Sequence, residues 1–231
     1  MSAVHHGRVA IPVLSVALFL MPAVRAQDDV GATAARLSAP DPVARTKAAC
    51  SLRAMGRQAA PALGALIQLL ADASPVAPTV CDRHWGHTDG MVTSPGQQAA
   101  SALVALGSVA VLPLITALES PAWPARRNAA WALGALDDTR AVPALTRVLS
   151  DPEPQVREQA VWALGALDAE TAVPVLIAAV RDADPRVRAQ AAWALGAIGD
   201  TRGLAAALVA LNDADPLVRR QGAWAVGVLA R

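Results

Sequence analysis

Four tryptophans recur at intervals of 31 residues, and a carboxamide precedes each of them by three residues. Because three residues are nearly one helical turn, each tryptophan and its carboxamide would share one face of a helix. Indoles bury apolar or cationic side chains, and carboxamides both donate and accept hydrogen bonds at a peptide backbone. The spacing therefore predicts a protein- or peptide-binding row. Its members are Asn128 and Trp131, Gln159 and Trp162, Gln190 and Trp193, and Gln221 and Trp224.

The same column has a second interpretation, in which every indole packs on the neighbouring unit and stiffens the array without binding a ligand. Exposed aromatic patches often mark interfaces, which favours the first hypothesis. The two hypotheses differ in one observable, which is whether the rings keep a face open to solvent.

The segments around these tryptophans are near copies of one another, and a fixed period of 20–50 residues is typical of stacked repeat arrays. In the unit 151–181, a helix over about 155–167 would bury Val156, Ala160 and Leu164 on one side. Pro174 then suits the first turn of a second helix, where a missing N–H costs nothing. No segment alternates as a strand does, so the sequence predicts an all-α fold.

Similar units cover residues 27–231, and each would be a pair of helices. The pairs fall at 41–72, 93–120, 121–150, 151–181 and 182–212, with a capping helix at 28–38 and a single helix at 213–231. We therefore predict an α-solenoid of about five helix pairs plus capping helices.

The repeated pattern Asp-x-x-Pro-x-Val-Arg-x-x-Ala-x-x-Ala-Leu-Gly, closed by Ala-Val-Pro-x-Leu, resembles the short HEAT-like repeats first grouped with phycobilisome lyases. The resemblance implies that the first helix of each pair lines a concave surface whose outward positions vary with the ligand. It also implies an inter-repeat ladder of arginines paired with aspartates. The arginines in question are Arg126, Arg157, Arg188 and Arg219. An anion-binding stripe is the alternative role for these arginines, although the neighbouring acids would cancel its field.

The first 26 residues are typical of a secretory signal. His5, His6 and Arg8 precede an apolar run at 9–21, and Ala26 ends a small-residue site. An uncleaved anchor is the alternative. Export to the periplasm or outside the cell is therefore expected, with no later membrane span. From residue 27 the chain carries 18 Lys and Arg (20 less Arg8 and Arg25) against 19 Asp and Glu, a balance that predicts no nucleic-acid partner.

An insertion at 73–95 interrupts the period, and long loops inside compact arrays are often functional. Aligning Pro42 with Pro154 places Cys50 in the tryptophan column, and a Cys50–Cys81 disulfide would draw the insertion over the first repeat. A metal site formed by Cys81, His84 and His87 is the alternative, although it lacks a fourth ligand.

Taken together, these features predict an exported scaffold that binds another protein or an extended peptide, with no cofactor and no catalytic motif. One alternative is a structural module that self-associates through its C-terminal helix. The other is an enzyme or metal-binding protein centred on the insertion.

Overall fold

A computed structural model describes residues 29–81 and 93–231. Within these ranges the chain is 78% helical and has no strands, and a single antiparallel bridge joins Val76 to Thr93. The all-α solenoid predicted from the sequence is thereby confirmed. The expected signal segment at 1–26 lies outside the described residues.

Five helix pairs follow a short N-terminal helix, α1, at 29–35, and one further helix follows them. The first helices are α2 (Pro42–Met55), α4 (Pro95–Leu106), α6 (Trp123–Ala135), α8 (Pro154–Ala166), α10 (Pro185–Ile198) and α12 (Pro216–Leu229). The second helices are α3 (Leu63–Leu69), α5 (Val111–Ala117), α7 (Val142–Val148), α9 (Val173–Ala179) and α11 (Leu204–Leu211).

The repeated sequence sets where the first helices begin. Proline stands in the first turn of each of them, where it needs no hydrogen-bond acceptor. Polar N-caps such as Asp41, Ser94 and Asp215 accept hydrogen bonds from the exposed backbone N–H groups of the first turn. At the start of α4, Oε1 of Gln97 also accepts a hydrogen bond from the backbone N–H of Ser94, which completes a capping box.

The first helices pack directly on one another in an unbroken series, whereas the second helices contact one another much less. In a curved two-layer stack the closely spaced layer lies on the inner side. The first helices therefore form the concave layer, as the repeat resemblance implies.

A column of leucines forms the centre of the core, two residues after each tryptophan position. Its members Leu52, Leu103, Leu133, Leu164 and Leu195 are all fully buried. The apolar stripe expected for α8 is buried as well, which confirms the predicted orientation of that helix. Two residues before each buried leucine, the chain faces the concave side.

The segment 95–117 corrects the expectation that no later segment is long and apolar enough to be a membrane span. It contains no charged residue, and by length and composition it is apolar enough to cross a membrane. In the structure it is the helix pair α4 and α5, joined at Gly107, and half of its most apolar window is buried. Core helices of soluble proteins pass the same length and composition test, so the segment has an ordinary place in the repeat core.

Candidate protein-binding surface

The four tryptophans of the repeat lie in register on the concave layer. Trp131, Trp162 and Trp193 are half-buried, and Trp224 is 44% exposed. The rings of Trp131 and Trp162 are nearly parallel, at an interplanar angle of 10°, and their centroids lie 6.5 Å apart. The column is therefore partly open to solvent and partly packed, so neither sequence hypothesis describes it completely.

The packed parts of Trp162, Trp193 and Trp224 each rest on a glycine of the preceding repeat. A Cβ placed on Gly134 would stand 2.8 Å from Cζ3 of Trp162, and one on Gly165 would stand 2.9 Å from Cζ3 of Trp193. Gly196 receives Trp224 in the same way. Because any side chain at these glycines would occupy the space of the ring edge, glycine and tryptophan form one repeated contact between neighbouring first helices.

The carboxamides of the column divide into two groups. Gln159, Gln190 and Gln221 are half-buried and have no protein hydrogen-bond partner in the described part of the chain. Asn128 differs, since it is only 4% exposed and its Nδ2 donates to the backbone carbonyl of Leu70 at 2.9 Å.

The expectation that Asn128 lines an open groove was therefore wrong. The turn that follows α3 passes between α4 and α6. The backbone carbonyl of Leu70 in this turn accepts the hydrogen bond that the side chain of Asn128 donates. Gly96 permits this approach, because a Cβ there would lie 2.6 Å from the oxygen of Leu70. The sequence signal that could have indicated the difference is the glycine itself, which stands where other repeats carry the ladder arginine.

A row of charged groups runs beside the carboxamides, and sequence reasoning missed it. Arg127 lies 5.6 Å from the ring centroid of Trp123 and donates to Oδ1 of Asn128. Burial raises the pKa of Glu158, while the nearby Arg186 and Arg127 act to lower it. Burial likewise lowers the pKa of Arg127.

One acceptor in this row is left without a donor. Oε1 of Gln155, one turn before Glu158 on α8, is buried and has no hydrogen-bond partner among the residues that the structure describes. A buried acceptor without a partner costs about 1–3 kcal/mol. The period could have indicated this row, because Arg127 and Glu158 share one position of the repeat, and Gln155 and Arg186 share another.

The arginine ladder is present in the structure. In each rung of the later repeats the guanidinium bonds the aspartate 25 residues ahead, and its Nη1 also donates to two carbonyls in the turn before its own helix. The rungs are Arg126–Asp151, Arg157–Asp182 and Arg188–Asp213, with Arg45–Asp72 as the equivalent in the first repeat.

Arg219 departs from this expectation. It keeps the contacts to the carbonyls of Asp213 and Ala214, but it has no carboxylate partner among the described residues. Hydrogen bonding to Asp182 raises the pKa of Arg157, so the guanidinium of this rung stays ionised. The ladder therefore joins consecutive turns and ends at α12.

The insertion begins by folding back on the first repeat, as expected. Cys50 and Cys81 form a disulfide with a Cα–Cα distance of 6.2 Å, and Sγ of Cys50 lies 3.4 Å from Oε1 of Gln98. Nε2 of Gln98 donates to Oγ1 of Thr93, so the two ends of the insertion meet over the concave face of α2 and α4.

The metal hypothesis loses one ligand as a result, because Cys81 is bonded to Cys50 and cannot act as a thiolate. His84 and His87 lie outside the described residues. Within the described ranges, no group of three or more His, Cys, Asp or Glu side chains is placed to hold a metal ion.

Comparison with solved structures finds the same architecture. The complex of CpcE and CpcF of phycocyanin lyase from Nostoc sp. PCC7120 aligns with all of this chain and 83% of its own, at 24% identity and a TM-score of 0.54. A designed armadillo repeat protein in complex with the peptide (KR)4 covers 87% of this chain and 99% of its own, at 20% identity and a TM-score of 0.55. The Kap95:Nup1 complex gives a TM-score of 0.62 at 16% identity, and this chain spans 31% of the matched protein.

No curated protein sequence matches this chain. The family model for HEAT repeats matches residues 111–183 and 173–229, which together make up just over half of the chain. The chain therefore belongs to the HEAT-repeat family.

Proposed function

We propose that this protein is an exported scaffold that binds another protein, or an extended segment of one, along the concave surface of its first helices. The observation that carries the proposal is the row of half-exposed indoles, flanked by Gln159, Gln190 and Gln221, whose carboxamides have no hydrogen-bond partner within residues 29–81 and 93–231. Repeated surfaces of this kind offer the same contacts at regular intervals along an extended ligand.

Asn128 supplies an internal precedent for how such a carboxamide binds. It occupies the same repeat position as the three glutamines, and it donates to a main-chain carbonyl. A glutamine in that position can make the same bond to the backbone of a ligand.

The spacing of the column also supports an extended ligand. The centroids of Trp131 and Trp162 are 6.5 Å apart. Alternate residues of an extended strand are separated by about 6.6 Å, so two alternate side chains of an extended ligand match the spacing of this pair of rings. Arg127 and Glu158 carry opposite charges at the same position of successive repeats, which would favour a ligand with opposite charges at that spacing.

The structural neighbours support the general role. One is a designed armadillo repeat protein in complex with a peptide, and another is the Kap95:Nup1 complex. Their identity to this chain is low, so they support the class of function and do not indicate a particular ligand.

Export completes the proposal. Its support is the apolar N-terminal segment that follows His5, His6 and Arg8, together with the Cys50–Cys81 bond, since disulfides persist mainly in oxidising compartments. Cleavage would be tested by N-terminal sequencing of protein recovered from the periplasm. A chain that keeps its first 26 residues would contradict it.

The binding proposal is tested with a displayed library of random linear peptides, selected on the purified chain. The variant Gln159→Ala with Gln190→Ala should weaken the selected peptides about tenfold or more, because two hydrogen bonds are each worth about 1 kcal/mol. Its control is Gln58→Ala with Gln68→Ala, at exposed positions outside the column.

Carboxamide variants are preferable to tryptophan variants, since loss of an indole would also empty the contact on its glycine and lower stability. Selected peptides that bind the control and the column variant equally well would refute a concave binding site. A library that yields no binding peptide would also refute it.

A further inference from the structure

The outward face of α12 repeats a docking face that is covered on every other first helix from α6 onward. Gly134, Gly165 and Gly196 each receive the following helix, whereas a Cβ on Gly227 would have no heavy atom of the described residues within 4 Å. The equivalent faces of α8 and α10 have Val161 and Ala192 fully buried, and their counterpart Ala223 is exposed.

Large apolar side chains stand on the same face of α12. Leu217 is 38% exposed and Trp224 is 44% exposed, and Leu208 of the adjoining α11 is 45% exposed. The face therefore combines protruding apolar side chains with an open space at Gly227.

Leu217, Arg220, Trp224 and Gly227 follow one another at intervals of three, four and three residues. This alternation is the seam of a two-helix coiled-coil contact. A parallel pairing of two such seams would put arginine against arginine, tryptophan against tryptophan and glycine against glycine. It would combine like charges, two bulky rings and an empty space.

An antiparallel pairing gives the opposite result. It places Leu217 on Gly227 of the other helix, so that a knob fills a hole. It also places the guanidinium of Arg220 at the ring of Trp224, which is a favourable cation–π arrangement. The two helix dipoles then oppose each other, which is favourable as well.

We propose that α12 is a dimerisation helix, which packs antiparallel on α12 of a second copy of this chain through Leu217, Arg220, Trp224 and Gly227. The contact is isologous, since each of these residues meets its complement twice across the two-fold axis. It lies at the end of the solenoid, so the concave surface formed by α8 and α10 stays available to a ligand.

Sedimentation velocity of the purified chain over a range of concentrations tests the proposal. The wild-type chain should form a dimer, and Gly227→Glu should raise the dimer dissociation constant at least tenfold without changing the circular dichroism spectrum. Gly64→Glu is the matched control, because Gly64 is exposed on α3 and also has open space around it. It should leave the dimer intact.

The orientation is tested by disulfide cross-linking. A chain carrying both Leu217→Cys and Gly227→Cys should form covalent dimers under mild oxidation, whereas Leu217→Cys alone should not. A wild-type chain that stays monomeric at every concentration would overturn the proposal, as would equal dissociation by Gly64→Glu. Efficient cross-linking of Leu217→Cys alone would overturn the antiparallel arrangement.

Discussion

Replacement of Gly165 by alanine should reveal how much of the stability depends on the contact between glycine and tryptophan. The new methyl group would lie 2.8 Å from Cβ and 2.9 Å from Cα of Ala194, and 2.9 Å from Cζ3 of Trp193. Carbon atoms in good contact are about 3.5–4.0 Å apart, so α8 and α10 would have to separate or the ring would have to turn.

The magnitude follows from two opposing effects. Alanine improves helix propensity over glycine by about 0.8–1 kcal/mol. Overpacking of a close contact costs about 1–3 kcal/mol. Gly165→Ala should therefore lower the free energy of unfolding by up to about 2 kcal/mol.

Gly227→Ala is the matched control at protein concentrations at which the chain is monomeric, since it makes the same chemical change in the same repeat position with no atom of the described residues within 4 Å. It should stabilise the chain by up to about 1 kcal/mol, and the difference between the two variants isolates the overpacking cost of about 1–3 kcal/mol. Guanidinium unfolding followed by tryptophan fluorescence and by circular dichroism measures both variants, with the two probes compared because repeat arrays can unfold in steps. Equal changes in the two variants, or a stabilised Gly165→Ala, would show that the glycine does not set the distance between the helices.

Three further predictions concern the ladder and the disulfide. Arg157→Ala should destabilise the chain by about 3 kcal/mol, because it leaves a partly buried aspartate unpaired, whereas Arg219→Ala should cost less than about 1 kcal/mol in the same unfolding assay. Burial acts to raise the pKa of Asp182, but hydrogen bonds from Arg157 and from the backbone lower it overall, to below 3.8. The stability that this carboxylate contributes is therefore present above the unfolded pKa and is lost as the pH falls through the lower folded value, so the gap between wild type and Asp182→Asn should narrow below about pH 4. Finally, replacing Cys50 and Cys81 by serine removes a cross-link over a sequence separation of 31, which should cost about 3–4 kcal/mol, and an unchanged melting temperature would show that the bond does not restrain the unfolded chain.

Periodicity was sufficient to predict the fold because each repeat contacts mainly its neighbours. The apolar stripe of α8, the start of each first helix near its proline and the concave position of Cys50 all follow from one unit and its register. In such an array a residue in one repeat has nearly the same surroundings as its counterpart in the next.

The same argument explains where the prediction failed. Asn128 has the register of Gln159 but different surroundings, because the turn after Leu70 enters beside Gly96. Arg219 has the register of Arg188, but no following repeat supplies its aspartate in the described residues. Both failures occur where a repeat lacks a regular neighbour, beside the insertion and at the last helix.

The contact between glycine and tryptophan restricts which residues of the concave surface can determine specificity. An indole such as Trp193 cannot be exchanged for a smaller side chain without emptying the space over Gly165, so the tryptophan column is constrained by the stack as well as by any ligand. The adjoining positions differ in charge, and Arg127, Glu158 and Arg186 lie close enough together for both arginines to act on the pKa of Glu158. In a repeat surface with constant apolar sites and variable charged sites, the constant sites contribute affinity and the variable sites select the ligand. An exchange of Glu158 for glutamine should therefore change which peptides bind while leaving the stack, and the number of repeats that a peptide spans, unaltered.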